Sequence, residues 1–148
     1  MYQLKQEQWV NAPLKEVWDF FSNPENLLRI TPAKMKMRIV EKPSSTMFPG
    51  MILRYKVSPI LGIPLNWTSE ISAVNKEDYF VDEMLAGPFK MWHHLHRFEA
   101  KDGGTLISDE LHYRLPLESL SRWAHPWLVQ KQLKEMFAHR EKVIQEIF

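Results

Sequence analysis

Three histidines in one short stretch, His93, His94 and His96, are the densest cluster of chemically versatile side chains in the chain. Successive side chains of a β-strand alternate between faces, so His94 and His96 would share one face and His93 would lie on the other. Trp92 and Phe98 fall on the face of the pair. Imidazole can transfer a proton, bind a metal or anchor a polar group. The spacing therefore predicts that His94 and His96 act together.

A carboxylate partner for this pair follows from the turn that comes next. If residues 102–103 form a two-residue hairpin turn, counting back from it sets His96 opposite Asp109. Asp109 would orient the imidazole and favour its charged form, which suits a general base or a polar ligand anchor. Two buried polar groups that merely satisfy one another would look the same. The face assigned to the interior comprises Trp92, His94, His96, Phe98, Ile107, Asp109, Leu111 and Tyr113.

A metal is the alternative use of two histidines at positions i and i+2 of a strand, with zinc the first candidate. His112 on the adjoining strand is a further ligand by residue type. The same count places His112 opposite His93, on the face away from His94 and His96. We therefore predict no metal site and no cofactor.

Neighbouring strands supply further candidates for the lining of an interior site. One face of the strand predicted over 64–74 comprises Trp67, Ser69, Ile71 and Ala73. On the preceding strand Arg54 and Tyr55 point in opposite directions, so only one of them can face the interior. Arg54 would bind a carboxylate or an enolate through its planar fork, although arginine is usually a surface residue.

Composition excludes several classes of function. The chain has no cysteine, so it forms no disulfide and has no thiolate ligand or nucleophile. Its 19 Lys plus Arg against 18 Asp plus Glu give a net charge of +1, without the basic excess of a nucleic-acid binder. No phosphate-binding Gly-rich loop, His-Glu-x-x-His motif or Gly-x-Ser-x-Gly motif occurs. Asp82 and Glu83 are adjacent and would point to opposite strand faces, so they cannot act together on one bond.

Length and hydropathy predict one domain, 1–148. The 148 residues are 45% hydrophobic, which is enough for one core. No apolar run approaches the ~20 residues of a membrane span, and the N-terminal residues lack a secretion signal. We expect a cytoplasmic protein.

The first elements are a strand and two short helices. Tyr2–Val10 alternates between apolar and polar residues, which predicts a strand with one wet face. Asn11 is predicted to cap a helix with Pro13 in its first turn, and this helix stops at 22–24. A second short helix is predicted over 24–30.

Six more strands follow, because the hydrophobic period drops towards two and turn residues recur. Their predicted ranges are 35–41, 51–58, 64–74, 79–85, 89–100 and 105–115. Short turns between successive strands predict an antiparallel meander with one dry face.

Helical spacing returns in the last segment. An apolar stripe of Val129, Leu133, Met136, Phe137, Val143, Ile144 and Ile147 must be buried. Pro126 would lie near the start of this helix or kink a longer one from Glu118. Leu133 and Phe137 are predicted to close a cavity against the sheet.

This order of elements resembles the helix-grip fold of the START-like superfamily, also called SRPBCC, which holds polyketide cyclases and dehydrases, lipid carriers and plant hormone-binding proteins. One bacterial SRPBCC subgroup is similar in residue detail: Phe80-Val81-Asp82-Glu83, Gly87-Pro88-Phe89, Trp92-His93-His94-Leu95-His96-Arg97-Phe98, Gly104-Thr105, Asp109 and Tyr113. The resemblance implies an α+β fold in which a seven-stranded antiparallel sheet wraps a long C-terminal helix. The superfamily holds binders and enzymes alike.

Three functions fit these expectations. The first is a binding module that encloses a small apolar or amphipathic molecule, such as a lipid, a polyketide-like or an aromatic metabolite, with His94, His96 or Tyr113 at its polar end. The second is a cyclase- or dehydrase-type lyase or isomerase in which His96, oriented by Asp109, is the general base and Arg54 or Tyr113 steadies the oxyanion. The third is an interaction domain with a filled core, whose surface at 118–127 would meet another protein. No nucleic acid partner is expected, and a homodimer is left open.

Overall fold

A computed structural model describes residues 1–58, 62–116 and 129–148. The elements, in chain order, are β1 Tyr2–Val10, α1 Leu14–Phe21, α2 Asn26–Arg29, β2 Arg38–Glu41, β3 Met51–Val57, β4 Leu65–Asn75, β5 Tyr79–Ala86, β6 Met91–Lys101, β7 Gly104–Arg114 and α3 Lys131–Ile147. The predicted α+β order of one strand, two short helices, six strands and a C-terminal helix is confirmed. The predicted surface at 118–127 and the role of Pro126 lie outside the described residues.

The seven strands form one antiparallel sheet in the order β1-β7-β6-β5-β4-β3-β2. In the β6–β7 hairpin the predicted register is confirmed, with His96 opposite Asp109 and His112 opposite His93. Asp102 and Gly103 both have positive φ, 51° and 79°. A type I′ turn requires positive φ at both central residues, and its tightness fixes the register of the two strands.

The start of α1 differs from the prediction. Asn11 does not cap the helix; Pro13 occupies the N-cap with extended backbone angles and provides no side-chain hydrogen bond. The Pro13 carbonyl accepts the amide protons of Glu16 and Val17, which closes the first turn. A rigid proline φ thus replaces the side-chain cap.

The chain before β2 also departs from the strand predicted over 35–41. Ala33–Met35 forms a 3-10 turn and Lys36 has a left-handed φ of 45°, so the strand begins only at Arg38. The short turn buries no side chain. Lys34 in this turn instead forms an ion pair with Glu135 of α3.

The core is divided between two clusters. In the first cluster, Trp18 and Phe21 of α1 pack on Phe98 of the sheet. The ring centroids are 5.6 Å apart for Trp18 and Phe98, and 5.1 Å apart for Phe21 and Phe98. The other surrounds Trp92 and Leu111 of the sheet and Leu133 and Phe137 of α3. The two clusters hold α3 across the inner face of the sheet. No helix among the described residues is long and apolar enough to cross a membrane.

Candidate functional site

Two histidines and one aspartate meet on the inner face of the β6–β7 hairpin. His94 Nε2 donates a hydrogen bond of 2.9 Å to Oδ1 of Asp109. His96 Nδ1 lies 2.7 Å from the same oxygen but outside hydrogen-bond geometry, and it has no other partner in the described part of the chain. All three side chains are buried. The predicted proximity of His96 and Asp109 is confirmed, but the hydrogen bond comes from His94, whose ring reaches diagonally across the hairpin.

Burial and charge set the protonation of this group in opposite directions. Burial alone would raise the pKa of Asp109, but the charge of His96 and the contacts with both imidazoles outweigh it and hold that pKa well below its usual range. Burial, reinforced by the charge of His96, lowers the pKa of His94 to about 4. At neutral pH His94 is therefore a neutral imidazole that donates through Nε2 to an ionised carboxylate.

Asp82 of β5 lies opposite His94 in the sheet and extends the polar group. Burial raises the pKa of Asp82, against smaller opposing effects of the Ser69 hydroxyl and the His94 and Arg140 charges. The Oδ1 atom of Asp82 has no hydrogen-bond partner among the described residues. The residue as a whole is half-buried because part of its surface borders a cavity.

Arg140 reaches the same place from α3. Its side chain is only 6% exposed, although arginine is seldom buried without a partner. The guanidinium carbon lies 5.4 Å from the ring centroid of Phe137. Within the described residues, Nε of Arg140 makes no hydrogen bond. The described residues around Arg140 therefore compensate its buried positive charge only in part.

These groups border a cavity of ≈ 350 Å³ between the sheet and α3. This volume lies within the range of small-molecule pockets, about 300 to 1,000 Å³. The wall is predominantly apolar and includes Phe20, Leu27, Ile30, Leu53, Trp67, Ile71, Trp92 and Leu133. The polar residues Ser69, Asp82, His94, His96 and Arg140 border it as well. Asn26, Thr31, Lys34 and Gln132 also line the cavity, which is therefore mainly apolar with several polar residues at its border.

Buried polar atoms without a hydrogen-bond partner concentrate at this cavity. In the described ranges there are four such side-chain atoms: Asp82 Oδ1, Trp92 Nε1, His96 Nδ1 and Arg140 Nε. All four residues line the cavity. Because buried polar groups are normally paired, four unpaired atoms around one space are the strongest local sign of a binding site.

The structure brings together part of the predicted site. Trp67, Trp92, His94, His96 and Leu133 line the cavity as predicted. Asp109, Leu111, Tyr113 and Phe137 are buried but stand behind that wall, where they support it. Burial raises the pKa of Tyr113 to about 12.

Arg54 is the predicted site residue that the structure places elsewhere. It is exposed and forms a 2.6 Å ion pair with Glu41 on the outer face of the sheet. Tyr55, its neighbour in the strand, is buried and lines the cavity instead. The period-two alternation of β3 therefore selects Tyr55 for the interior.

Sequence reasoning missed Asp82 and Arg140. Arg140 lies three residues after Phe137 and four before Ile144, and this helical spacing places it on the buried face of the helix. Asp82 shares a strand face with the buried Phe80. In both cases, a charged residue at an apolar position was the signal.

His94, His96 and Asp109 are also the residues that could hold a metal, because one ligand atom from each lies within 4.8 Å of the others. The third ligand is thus Asp109, and not His112, whose ring stacks on His93 on the outer face. A cation bound to Asp109 would compete with the contacts that His94 and His96 make to this carboxylate, and it would add to the buried positive charge of Arg140. The present protonation suits hydrogen bonding better than metal ligation.

Comparison with known proteins extends these observations. A family model described as "Polyketide cyclase / dehydrase and lipid transport" matches residues 10–137. Among solved structures, protein Ms6760 from Mycobacterium smegmatis is 18% identical with a TM-score of 0.71, over 98% of this chain and 89% of that chain. The major latex-like protein 151 of Panax ginseng is 17% identical with a TM-score of 0.71, over 98% and 95%. These likenesses confirm the helix-grip fold.

A third similar structure is a longer protein. A nucleoside-diphosphate sugar epimerase from Corynebacterium glutamicum is 25% identical with a TM-score of 0.66, over 97% of this chain but only 28% of that chain. The same fold thus occurs there as one part of a larger chain. No curated protein matches the sequence.

Proposed function

Because the chain belongs to the polyketide cyclase, dehydrase and lipid transport family, we propose that it binds a small apolar or amphipathic molecule in the cavity between the sheet and α3. The apolar body of the ligand would lie against Trp67, Trp92 and Leu133. Its polar end would meet Asp82, His96 and Arg140. The observation that carries the proposal is the convergence on one apolar cavity of three buried polar atoms without a hydrogen-bond partner among the described residues, Asp82 Oδ1, Trp92 Nε1 and Arg140 Nε, beside His96, whose Nδ1 contacts only Asp109.

The energetics favour a ligand with one polar end over a purely apolar one. Filling the apolar part gains roughly 25 cal/mol for each Å² removed from water. The unpaired polar atoms at the other end gain hydrogen bonds only if the ligand supplies partners. Both contributions act in the same cavity, so an amphipathic ligand uses the site most fully.

Binding can be tested with N-phenyl-1-naphthylamine, a neutral apolar probe whose fluorescence rises in apolar surroundings. We expect saturable binding in the range of about 1 to 100 µM for a ligand of this size. Val129→Trp should weaken it at least about tenfold, because Val129 lines the cavity just before the start of α3 and the larger ring would occupy the space. Val40→Trp is the matched control, since Val40 is 57% exposed on β2.

Equal binding by both variants, or no binding by the unmodified protein, would overturn the proposal. Native mass spectrometry of the purified protein, followed by denaturation, would then identify a co-purified molecule where one is retained. A retained molecule lost from Val129→Trp and kept by Val40→Trp would support the same site.

A proton-transferring enzyme of the cyclase or dehydrase kind is the second candidate, because His94, which is hydrogen-bonded to Asp109, borders the cavity. With Nε2 committed to Asp109, Nδ1 of His94 is the lone-pair nitrogen. A pKa of about 4 makes that nitrogen a weak base, whereas an efficient general base has a pKa near the working pH. Exchange of the α-protons of decan-2-one in D₂O, abolished in His94→Gln, would move catalysis ahead of binding.

A further inference from the structure

Arg140 is a buried cation in an otherwise apolar helix face. It follows Phe137 by three residues and precedes Ile144 by four, and both of these are at most 2% exposed. A hydrophobic residue would fit this position at a lower desolvation cost. The arginine therefore needs an explanation beyond the packing of α3.

The described residues provide Arg140 with no hydrogen bond and no carboxylate oxygen within 4.0 Å of its nitrogens. Its guanidinium carbon lies 5.4 Å from the centroid of the Phe137 ring. The side chain lines the cavity, so its donors border the space that a ligand would occupy. Arginine offers five N–H donors in a planar fork, which matches the two oxygens of a carboxylate.

Neither of the two nearby acids, Asp109 and Asp82, acts as the carboxylate partner of Arg140, so a ligand could take that place. Asp109 is engaged by His94 at 2.9 Å and by His96 at 2.7 Å. The Oδ1 atom of Asp82 is buried without a hydrogen-bond partner among the described residues, and burial raises the pKa of this carboxyl and so favours its neutral form, which donates a hydrogen bond. A ligand carboxylate would thus meet one cation and one acid donor.

We propose that the ligand is an amphipathic carboxylic acid whose carboxylate binds Arg140, with Asp82 as a second polar contact and the apolar wall around its chain or ring. This inference rests on the proposed function and specifies the chemical class of the ligand. A single negative charge matches the one unpaired guanidinium. A dianionic head group such as a phosphate monoester would place surplus negative charge beside Asp109.

The test is a series of ten-carbon ligands that differ only in the head group: decanoate, decan-1-ol and decylamine. Each displaces N-phenyl-1-naphthylamine from the unmodified protein at neutral pH. We expect decanoate to bind roughly tenfold to a hundredfold more tightly than decan-1-ol, the range for hydrogen bonds to a charged group. Decylamine should bind most weakly, because its charge repels Arg140.

Arg140→Met removes the charge and keeps the length of the side chain. In this variant decanoate should lose its advantage over decan-1-ol. Arg140→Lys keeps the charge without the fork and should retain only part of the preference. Lys142→Met is the matched control on the same helix, because the Lys142 side chain is 77% exposed.

The outcomes separate the two proposals. If the probe and decan-1-ol bind but decanoate has no advantage, or decylamine binds best, the carboxylate inference is wrong and the binding function stands. If neither the probe nor any ten-carbon ligand binds, both are wrong. If Arg140→Met does not fold, the head-group series on the unmodified protein and on Arg140→Lys still decides the inference.

Discussion

The two faces of β6 carry the same chemistry in two environments. On the outer face His93 contacts Glu83 at 2.8 Å, with side chains 42% and 41% exposed. On the inner face His94 contacts Asp109 at 2.9 Å, with side chains 4% and 9% exposed. The two distances are nearly equal, but the two pairs differ strongly in burial. In the inner pair, burial lowers the pKa of His94 to about 4, and the contacts with the two imidazoles hold the pKa of Asp109 well below its usual range.

The largest expected effect is the loss of Asp109. Asp109→Asn removes the charged acceptor of His94 and the negative charge nearest the inner histidines, so we expect a loss of about 3 kcal/mol or more in the free energy of unfolding. Urea denaturation at pH 7 measures it. A loss as small as that of a surface substitution would mean that the inner pair resembles the outer one.

The pH dependence of stability should come from the same pair. The pKa of His94 is about 4 in the folded protein against 6.5 for an ordinary histidine. Between these values the unfolded chain binds more protons, so stability falls by up to roughly 3 kcal/mol as the pH drops from 6.5 to 4. The depressed pKa of Asp109 adds a further loss as the pH falls below 3.8. Urea midpoints measured across this range test both slopes.

Histidine variants distinguish the two faces in this experiment. His94→Gln should flatten the dependence between pH 6.5 and 4, because the buried imidazole no longer titrates. His93→Gln, on the exposed outer face, is the matched control. Equal slopes in all three proteins would show that His94 is not the titrating group.

A smaller effect of opposite sign is expected at Asp82. Burial raises its pKa, so the folded state disfavours ionisation and stability falls as the pH rises from the ordinary value of 3.8 towards the folded one. Asp82→Asn removes that cost and should stabilise the protein at pH 7 by about 1 kcal/mol. Thermal unfolding of both proteins at pH 7 shows whether the substitution stabilises or destabilises the fold. Destabilisation would indicate an ionised Asp82 that is paired in solution.

The smallest effect is expected on the outer face. Glu83→Gln breaks the contact with His93, yet exposed ion pairs contribute only about 0 to 1 kcal/mol. We expect a change within about 0.5 kcal/mol by urea denaturation. A loss comparable with that of Asp109→Asn would contradict the comparison of the two faces.

Much of this architecture could be predicted from the sequence because its signals are local. The Asp102-Gly103 turn determines the register of β6 and β7, so the positions of His94, His96 and Asp109 follow by counting. The partner of His94 could not be counted, because its ring reaches diagonally to Asp109 and not to Leu111 opposite. Side-chain reach across a sheet depends on rotamers that a register does not specify.

The parts of the site that were missed depend on contacts between distant segments. Asp82 and Arg140 are far apart in sequence, and only the packing of α3 on the sheet brings them to one cavity. Arg54 was the predicted residue best suited to bind an anion, but the alternation of side chains along β3 places it on the outer face, where it pairs with Glu41. A charged residue within a buried stripe was the stronger indicator.

The most direct test of ligand binding in this cavity is methionine methyl NMR during titration with N-phenyl-1-naphthylamine. Met35, Met37, Met47 and Met136 line the cavity, whereas Met1 is 81% exposed. We expect saturable shifts of these four lining methyl groups and none at Met1. Shifts confined to Met1, or no shift of any lining methyl at saturating probe, would contradict the account.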